Sequence, residues 1–218
     1  NIVSVGVFAG INYGDIRKCI TTNQVTINGS ELLNFGNMCG ESRSGMIELN
    51  SAKASSYLYS KSLNGGGLCG VSNNSIFINN FVKNTMHANT IDSSNVGGFI
   101  GKTTNVKNEI INSYNDMVVE IDTLATDLKI GSVGFDEGTE SSFKNCVTNM
   151  RVSSRYLNFT YGTFFTDDSH KLIDNCYYIN FVNSEKAYYQ GTRTSFCELS
   201  LTVLNWDSAI WRVSCLGI

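Results

Sequence analysis

The sequence contains no proline and only two histidines among 218 residues, and charged residues make up only 16% of it. A Ser-His-Asp arrangement or a histidine-based metal site therefore has few possible members. No apolar stretch approaches the length that spans a bilayer, so we expect no membrane insertion by this chain. The net charge is −3, and acids and bases are spread without blocks. A nucleic-acid partner, which requires a basic surface, is not expected.

Strong helix formers are also scarce. Asn supplies about one residue in eight, and there are 20 glycines. Helical repeats need long runs of residues such as Ala, Glu and Lys, and leucine-rich repeats need Leu at fixed short offsets. Neither pattern is found. The composition therefore favours short β-strands separated by turns, because Gly and Asn tolerate the backbone conformations that tight turns require.

A glycine-flanked apolar phrase recurs about every thirty residues. Its copies end at residues 10, 40, 70, 101, 135 and 166; the clear ones are Gly6–Gly10, Gly36–Gly40, Gly66–Gly70 and Gly97–Gly101, and the weaker ones are Gly131–Phe135 and Gly162–Thr166. A second anchor follows each copy by about ten residues: Lys18-Cys19, Asn50-Ser51, Asn79-Asn80, Asn112-Ser113, Asn145-Cys146 and Asn175-Cys176. Two anchors that keep step over six units indicate a stacked repeat architecture.

These features predict an all-β protein, a parallel β-helix (β-solenoid) of about six coils of about 31 residues over residues 1–184. A C-terminal cap is expected over residues 185–218. We expect a right-handed coil, as parallel crossovers usually are. In the first unit the pattern predicts strands at Val5–Ala9, Ile16–Thr21 and Gln24–Ile27.

Stacking in register places equivalent side chains in columns. Phe8, Met38, Leu68 and Phe99 would form one apolar column inside the coil, beside Ala9, Cys39, Cys69 and Ile100. A hydrogen-bonded amide ladder is expected at the bend, formed by Asn50, Asn79, Asn112, Asn145 and Asn175.

The seven cysteines also recur at repeat positions. Cys39 and Cys69 fall in one column, and Cys19, Cys146 and Cys176 fall in another. Stacked residues point their side chains the same way at the strand spacing, which fits disulfide geometry poorly. We therefore expect buried free thiols, and with no Cys-x-x-Cys pair we expect no metal site built on them.

The phrases at Gly66–Gly70 and Gly97–Gly101, together with the Asn-Gly turn and the following Asn-Ser or Asn-Cys element, resemble the GLUG-repeat family of bacterial surface proteins. The element 175–178 and a tail containing Trp206 and Trp211 are similar to the way such arrays end. The resemblance covers roughly residues 1–180. It implies a parallel β-helix in a secreted or cell-surface-attached protein, commonly an adhesin or the non-catalytic part of a large surface peptidase. It does not imply an active site.

Five residues near the last two phrases are candidates for chemistry. Asp136 and Glu137 follow the fifth phrase, Asp167 and Asp168 follow the sixth, and His170 is close by. On adjacent coils these side chains would share one corner, which could bind Ca²⁺ or supply paired carboxylates for glycoside cleavage. The alternative is that they are solvated turn residues, because turns favour Asp. The other histidine, His87, lies in a strand and has no acid–base partner suggested by the sequence.

Aromatic residues concentrate in the last forty positions. A solenoid end must be covered to prevent end-to-end association, so we interpret residues 185–218 as a cap with the two tryptophans packed over the final coil. A sugar-stacking platform is the competing interpretation, formed by Tyr188, Tyr189, Trp206 and Trp211.

Three functions remain open at this stage. The preferred one is a non-enzymatic extracellular adhesion or spacer module that binds a host glycan or surface protein through a side wall and needs no cofactor. The others are a carbohydrate-acting enzyme on a β-helix scaffold and a rigid region of a large surface peptidase. The chain begins at Asn1, in the middle of a repeat, so we expect it to be part of a longer polypeptide.

Overall fold

The structure, a computed structural model, describes residues 1–104, 107–123, 125–137, 140–167, 172–195, 198–199, 204 and 206–207. Nearly all regular structure in these residues is β-strand, and the strands pair in parallel from coil to coil. The predicted parallel β-solenoid is confirmed. Its hand stays a prediction.

The strands follow one another turn by turn. The first turn contains β1 (Ile2–Gly6), β2 (Ala9–Asn12) and β3 (Asp15–Arg17). The next two contain β4 (Ile20–Gly36), β5 (Cys39–Arg43), β6 (Met46–Glu48), β7 (Ser51–Gly66), β8 (Cys69–Asn73) and β9 (Ile76–Ile78). Then come β10 (Phe81–Thr90), β11 (Ser93–Thr104), β12 (Glu109–Ile111), β13 (Tyr114–Ile121), β14 (Asp127–Asp136) and β15 (Ser142–Lys144). The last are β16 (Val147–Ser154), β17 (Thr160–Gly162), β18 (Leu172–Asp174), β19 (Tyr177–Tyr178), β20 (Lys186–Tyr188) and β21 (Thr192–Arg193).

Two sheets enclose the core. Strands β3, β6, β9, β12, β15 and β18 form a six-stranded sheet, the short wall, while the remaining fifteen strands form one sheet that bends around the rest of each coil. Within that larger sheet we call the broad wall the part made of β10, β13, β16, β19, β21 and the first halves of β4 and β7. The six rungs of the short wall amount to about five complete turns, slightly fewer than the six coils expected.

The closing glycine of each phrase lies where two coils touch. A Cβ atom on Gly101 would come within 2.6 Å of the backbone of Asn64 and Gly65, in the preceding coil. In the same way, a Cβ atom on Gly70 would lie 2.5 Å from Phe35 N, which belongs to the coil before that of Gly70. The glycines recur because no side chain fits between rungs that are hydrogen-bonded at the strand spacing.

The fifth phrase retains this glycine, although the sequence analysis closed the phrase at residue 135. Ile100 pairs with Val133 and Lys102 pairs with Phe135, so Gly134 is the partner of Gly101. A Cβ on Gly134 would lie 2.6 Å from Gly101 O, as expected for the same column. The fifth copy is therefore one residue shorter than the others. A phrase of the usual five residues, counted from Gly131, runs one residue past the closing glycine and ends at Phe135.

A left-handed backbone residue forms the corner between the short wall and the broad wall. Its φ angles are between 48° and 57°, at Lys18, Leu49, Asn79, Asn112, Asn145 and Asn175. Asn adopts this conformation more readily than most residues, which explains why it recurs here. The amide ladder is confirmed from Asn112 through Asn145 to Asn175, with Nδ2–Oδ1 distances of 3.0 and 2.9 Å. Leu49 occupies the column position that we had assigned to Asn50.

Asn50 belongs one position further in, to a buried column that contains Cys19, Asn50, Asn80, Ser113, Cys146 and Cys176. Side chains in this column satisfy the backbone of the neighbouring coil. Cys19 N donates to Asn50 Oδ1 at 2.9 Å, Asn50 N donates to Asn80 Oδ1 at 3.1 Å, and Asn80 N donates to Ser113 Oγ at 3.1 Å. At this corner the side-chain oxygens of the column therefore accept hydrogen bonds from backbone N–H groups of the neighbouring coil, in place of backbone carbonyls.

The apolar column of the phrases is confirmed. Met38, Leu68 and Phe99 are fully buried, and beside them Cys39 pairs with Cys69 and Cys69 with Ile100. Phe8 of the first turn is 49% exposed because no preceding coil covers it in this structure. Burying such a side chain contributes about 2 kcal/mol, so each stacked coil stabilises the one before it.

The strand boundaries predicted in the first unit were partly wrong. The predicted strand Val5–Ala9 is interrupted between β1 and β2, and the predicted strand Ile16–Thr21 is broken at Lys18 by its positive φ. The break predicted between the strands Ile16–Thr21 and Gln24–Ile27 is absent, since β4 runs through it. Local turn preference is outweighed there by pairing with β7 along the whole strand.

The coil continues past the predicted boundary at residue 184. Strand β21 pairs with β19 and adds a rung to the broad wall. Strand β20 pairs with β17 and adds a rung to the rest of the large sheet. Between these strands the chain turns at Gly191, with φ 80°, and forms no short-wall strand. Only 15 residues separate the partners Tyr177 and Thr192, compared with 30 between Val147 and Tyr177.

At the last rung that the structure describes, the Gln190 side chain bonds to backbone groups as a further strand would. Its side-chain Oε1 accepts from Phe164 N and Phe165 N at 3.2 and 2.8 Å, and its Nε2 donates to Asp167 O at 2.8 Å. Thr163 Oγ1 also donates to the carbonyl of Gln190 at 2.8 Å. These backbone groups would otherwise have no coil to bond to.

We expect Gln190→Ala to lower the free energy of unfolding by about 2 kcal/mol, because it leaves partly buried backbone donors without an acceptor. Urea denaturation followed by circular dichroism measures the loss. Gln24→Ala, on an exposed position of β4, is the control and should change the value by less than about 0.5 kcal/mol. Equal effects of the two substitutions would contradict the capping role.

Candidate functional site

The outer face of the broad wall carries the most varied set of functional side chains. Along each strand of this wall alternate residues face the core, so the others line the outside in columns. In β10, for example, Val82, Asn84 and Met86 are buried, whereas Lys83 is exposed. Lys83 pairs with Lys53 of β7 on one side and with Asp116 of β13 on the other.

A groove of about 550 Å³ crosses this face. Its walls come from five neighbouring strands, β4, β7, β10, β13 and β16, so it runs along the stacking direction for about 19 Å at the usual strand spacing. The outward-facing side chains that line it are Lys53, Ser55, Phe81, Lys83, Thr85, Asp116, Val118 and Arg151.

The groove is positively charged, although the chain as a whole is acidic. At its far end Arg151 Nη2 lies 2.8 Å from Asp116 Oδ1, and Asn149 donates to the same oxygen at 2.9 Å. Lys53 and Lys83 form no ion pair with any residue that the structure describes. Two unpaired ammonium groups therefore occupy directly opposed positions on adjacent rungs.

Phe81 forms the aromatic side of the groove. Its ring stacks on Tyr114 with 5.5 Å between centroids, and the Lys53 ammonium lies over its face at 5.7 Å. Burial raises the pKa of the Tyr114 phenol, with a further contribution from the Asp116 charge, so Tyr114 stays neutral. The stack holds Phe81 in place beside the lysines.

A second set of rings lies beyond the groove, two residues past Ser55 on β7 and Thr85 on β10. The His87 imidazole stacks on Tyr57 with 4.1 Å between centroids, and its Nδ1 lies 2.8 Å from Glu120 Oε2. The sequence alone suggests no acid–base partner for His87. Glu120 is 33 residues away along the chain and becomes its neighbour only through the pairing of β10 with β13.

The acidic residues after the fifth phrase have separate environments. Asp136 is buried, and its Oδ1 accepts from Thr103 Oγ1 and from Ser141 Oγ, the latter at 2.8 Å. Glu137 faces outward, with Lys102 Nζ at 2.7 Å. The interpretation of both as solvated turn residues therefore does not apply to Asp136.

Of the acids after the sixth phrase, Asp167 is half-buried, and its backbone carbonyl accepts from Gln190. Asp168 and His170 lie outside the described residues, so the complete corner stays a prediction. No cluster of three or more His, Cys, Asp or Glu side chains that could hold a metal occurs in the described part of the chain.

The tail aromatics that the structure describes do not lie on one surface. Trp206 is buried against the outside of the broad wall, where its Nε1 donates to Asn145 O at 2.7 Å and its ring packs with Tyr114 and Val147. It therefore covers the side of β13 and β16 rather than the end of the stack. Trp211 lies outside the described residues.

Tyr188 and Tyr189 lie in the last rung. The Lys186 ammonium lies 5.2 Å from the Tyr188 ring centroid. Tyr189 packs with Tyr161, Tyr178 and Phe181, at centroid distances of 6.0, 5.8 and 4.8 Å, and its hydroxyl donates to the Val182 carbonyl. Phe181 and Tyr189 of this cluster are exposed, and the cap over residues 185–218 stays a prediction.

The described cysteines are free thiols, as expected, and four of the five are buried. Cys39 Sγ and Cys69 Sγ are 3.5 Å apart and share a hydrogen bond. Burial raises the pKa of the Cys69 and Cys146 thiols, and the neighbouring Cys39 and Cys176 thiols raise it further. These thiols stay protonated at neutral pH and act as small core residues.

The groove was missed in the sequence, although a signal for it exists. Lys53 and Lys83 are 30 residues apart, which is the spacing of the phrases that end at residues 40 and 70. Side chains separated by one repeat lie on adjacent rungs, so any charge that recurs at this step marks a surface column. Lys53 and Lys83 belong to no run of basic residues along the chain, so only their recurrence at the repeat spacing marks them.

No helix in the described residues has the length and apolarity needed to cross a membrane. The chain matches no protein-family model, no curated protein and no solved structure, so the site must be interpreted from its own geometry.

Proposed function

We propose that this protein is a non-enzymatic binding module that holds a glycan in the groove of the broad wall. The observation that carries the proposal is the groove itself, which crosses five strands and offers hydroxyl, ammonium and aromatic groups together. Sugars present hydroxyl groups and apolar ring faces, which such side chains complement. The resemblance of the glycine phrases to GLUG repeats supports placing the module in a bacterial surface protein, outside the cell.

The backbone of the groove favours recognition through side chains. Strand β10 is paired with β7 on one side and with β13 on the other along its length. A peptide that binds by adding a strand needs a free sheet edge, and the middle of the broad wall has none. A ligand that lies across the strands must instead contact the outward columns.

The described carboxylates give little support to a glycosidase. Glycoside cleavage needs two carboxyl groups facing each other across a substrate, whereas Asp136 is buried and Glu137 is paired with Lys102 on the outside. A binding role needs no such pair.

A glycan array probed with the labelled protein tests the proposal. The variant Thr85→Tyr tests whether the ligand lies in the groove. Thr85 lines the groove, so a bulky ring there should block it and reduce binding by about tenfold or more, a loss of 1.4 kcal/mol. Ser142→Tyr, on the outside of the short wall, should leave binding unchanged. Binding that survives Thr85→Tyr would place the ligand elsewhere, and a flat response across the array would reject glycan binding.

A further inference from the structure

Lys53 and Lys83 form an arrangement that costs stability in the free protein. They are direct partners in the parallel pairing of β7 with β10, and both side chains are exposed. Like charges opposite each other on adjacent strands repel, and natural sheets usually avoid them. The repulsion is not relieved by an acid, since neither ammonium has an ionic partner in the described part of the chain.

The neighbouring acids are engaged elsewhere. Asp116, the next residue in the same column, has its Oδ1 held by Arg151 and Asn149. Glu120 is held by His87. The positive charge in the centre of the groove is therefore left for something outside the protein, on a chain whose net charge is −3.

We propose that the groove binds an acidic saccharide, with an anionic group of one sugar held between the Lys53 and Lys83 ammonium groups. This rests on the proposed glycan-binding function and adds the class of glycan. The hydroxyl groups of Ser55 and Thr85, one column further along, face the neighbouring sugar hydroxyls. The Phe81 ring, fixed by Tyr114, borders the site and contacts an apolar part of the bound saccharide.

The geometry of the pair suits an anion. Two ammonium groups on rungs about 4.8 Å apart can both donate to one carboxylate or sulfate group, whose negative charge removes their mutual repulsion. Salt screens the attraction between exposed charges, but the screening is incomplete at the short range of a direct hydrogen bond. Affinity should therefore fall with salt but not vanish at physiological ionic strength.

The test measures binding of a galacturonic acid hexasaccharide by isothermal titration, with its methyl ester as the neutral control and a sulfated hexasaccharide as a second anionic probe. We expect at least one acidic probe to bind, and we expect the ester to bind at least about tenfold more weakly, because it lacks the charge that both ammonium groups contact. The double variant Lys53→Gln/Lys83→Gln should lose about the same factor.

The matched control removes the same two charges elsewhere. Lys18→Gln/Lys144→Gln changes exposed lysines at the corner and on the short wall and should keep the affinity within about threefold. Thermal melting of each variant checks folding, and Lys53→Gln/Lys83→Gln should melt no lower than the parent, because it removes a repulsion.

Each other result has a defined meaning. Equal binding of the ester and the acid overturns this inference but leaves the glycan-binding function in place. Equal loss in both double variants shows a general charge effect and overturns it too. Stronger binding of a poly-glutamate peptide than of either acidic saccharide overturns the saccharide assignment. Absence of binding by all probes, together with a flat glycan array, rejects both proposals.

Discussion

Gly101→Ala should unfold much of the solenoid at temperatures where the parent is stable, with a loss of about 3 kcal/mol or more in the free energy of unfolding. The added Cβ would lie 2.6 Å from Asn64 C and Gly65 N, and 2.8 Å from Gly70 O. These are backbone atoms of the preceding coil, which cannot rotate away as a side chain would. The two rungs must separate, and the hydrogen bonds between them lengthen.

The control for this substitution is Gly14→Ala. A Cβ on Gly14 meets nothing within 4 Å, and neither glycine has a positive φ. Neither substitution strains the backbone, so the main difference between the variants is the steric contact of the buried Gly101. Gly14→Ala should change the unfolding free energy by less than about 0.5 kcal/mol. Thermal and urea denaturation measure both. A mild effect at Gly101 would mean that the coils are not packed as closely as the structure shows.

Asn80→Leu should cost more than about 3 kcal/mol in the free energy of unfolding, the second large effect we expect. Asn80 is fully buried, its Oδ1 accepts from both Asn50 N and Asn50 Nδ2 at 3.1 and 3.2 Å, and its Nδ2 donates to Ile47 O at 2.7 Å. Leucine has a similar volume but satisfies none of these groups. Each buried donor or acceptor left without a partner costs about 1–3 kcal/mol.

A serine in the same column indicates a milder substitution for Asn80. Ser113 lies in the same column, accepts from Asn80 N at 3.1 Å and donates to Ile111 O at 2.8 Å. Asn80→Ser keeps an acceptor for Asn50 N and should lose only about 1 kcal/mol. If leucine and serine destabilise equally, size rather than hydrogen bonding determines what this column accepts.

The two largest effects both arise from the need to keep the backbone hydrogen bonds between coils. The absence of proline reflects the same need. The backbone N–H groups of an inner strand donate to the coils on either side, and proline has no N–H to donate. At the corner, where carbonyls of the next coil are out of reach, Asn50 and Asn80 provide side-chain acceptors. At the end of the stack, Gln190 does so for Phe164 and Phe165.

Errors in the sequence interpretation arose where a unit changes length by one residue. Asn50 was assigned to the corner column that Leu49 occupies, and the fifth phrase was closed at Phe135 rather than Gly134. A slip of one residue exchanges the inner and outer faces of a strand. Asn at two successive columns makes both registers plausible in sequence, and only the pairing of strands decides between them.

The candidate site depended still more on tertiary structure. That Asp136 is buried against Thr103, and that Glu137 faces Lys102, follows from the opposite directions of successive side chains at the end of β14. Trp206 returns to the side of the broad wall rather than the end of the coil, and no periodic signal marks such a contact.

The sequence by itself determined the parallel solenoid, the apolar column from Met38 to Phe99 and the free thiols, because in-register stacking turns a repeat along the chain into contact between neighbours. Only the tertiary structure decided which face of each strand is exposed, and therefore that Lys53 and Lys83 meet in a groove. Facing depends on the register of each coil and on the bend at each corner, and both are set by packing among residues that the repeat brings together.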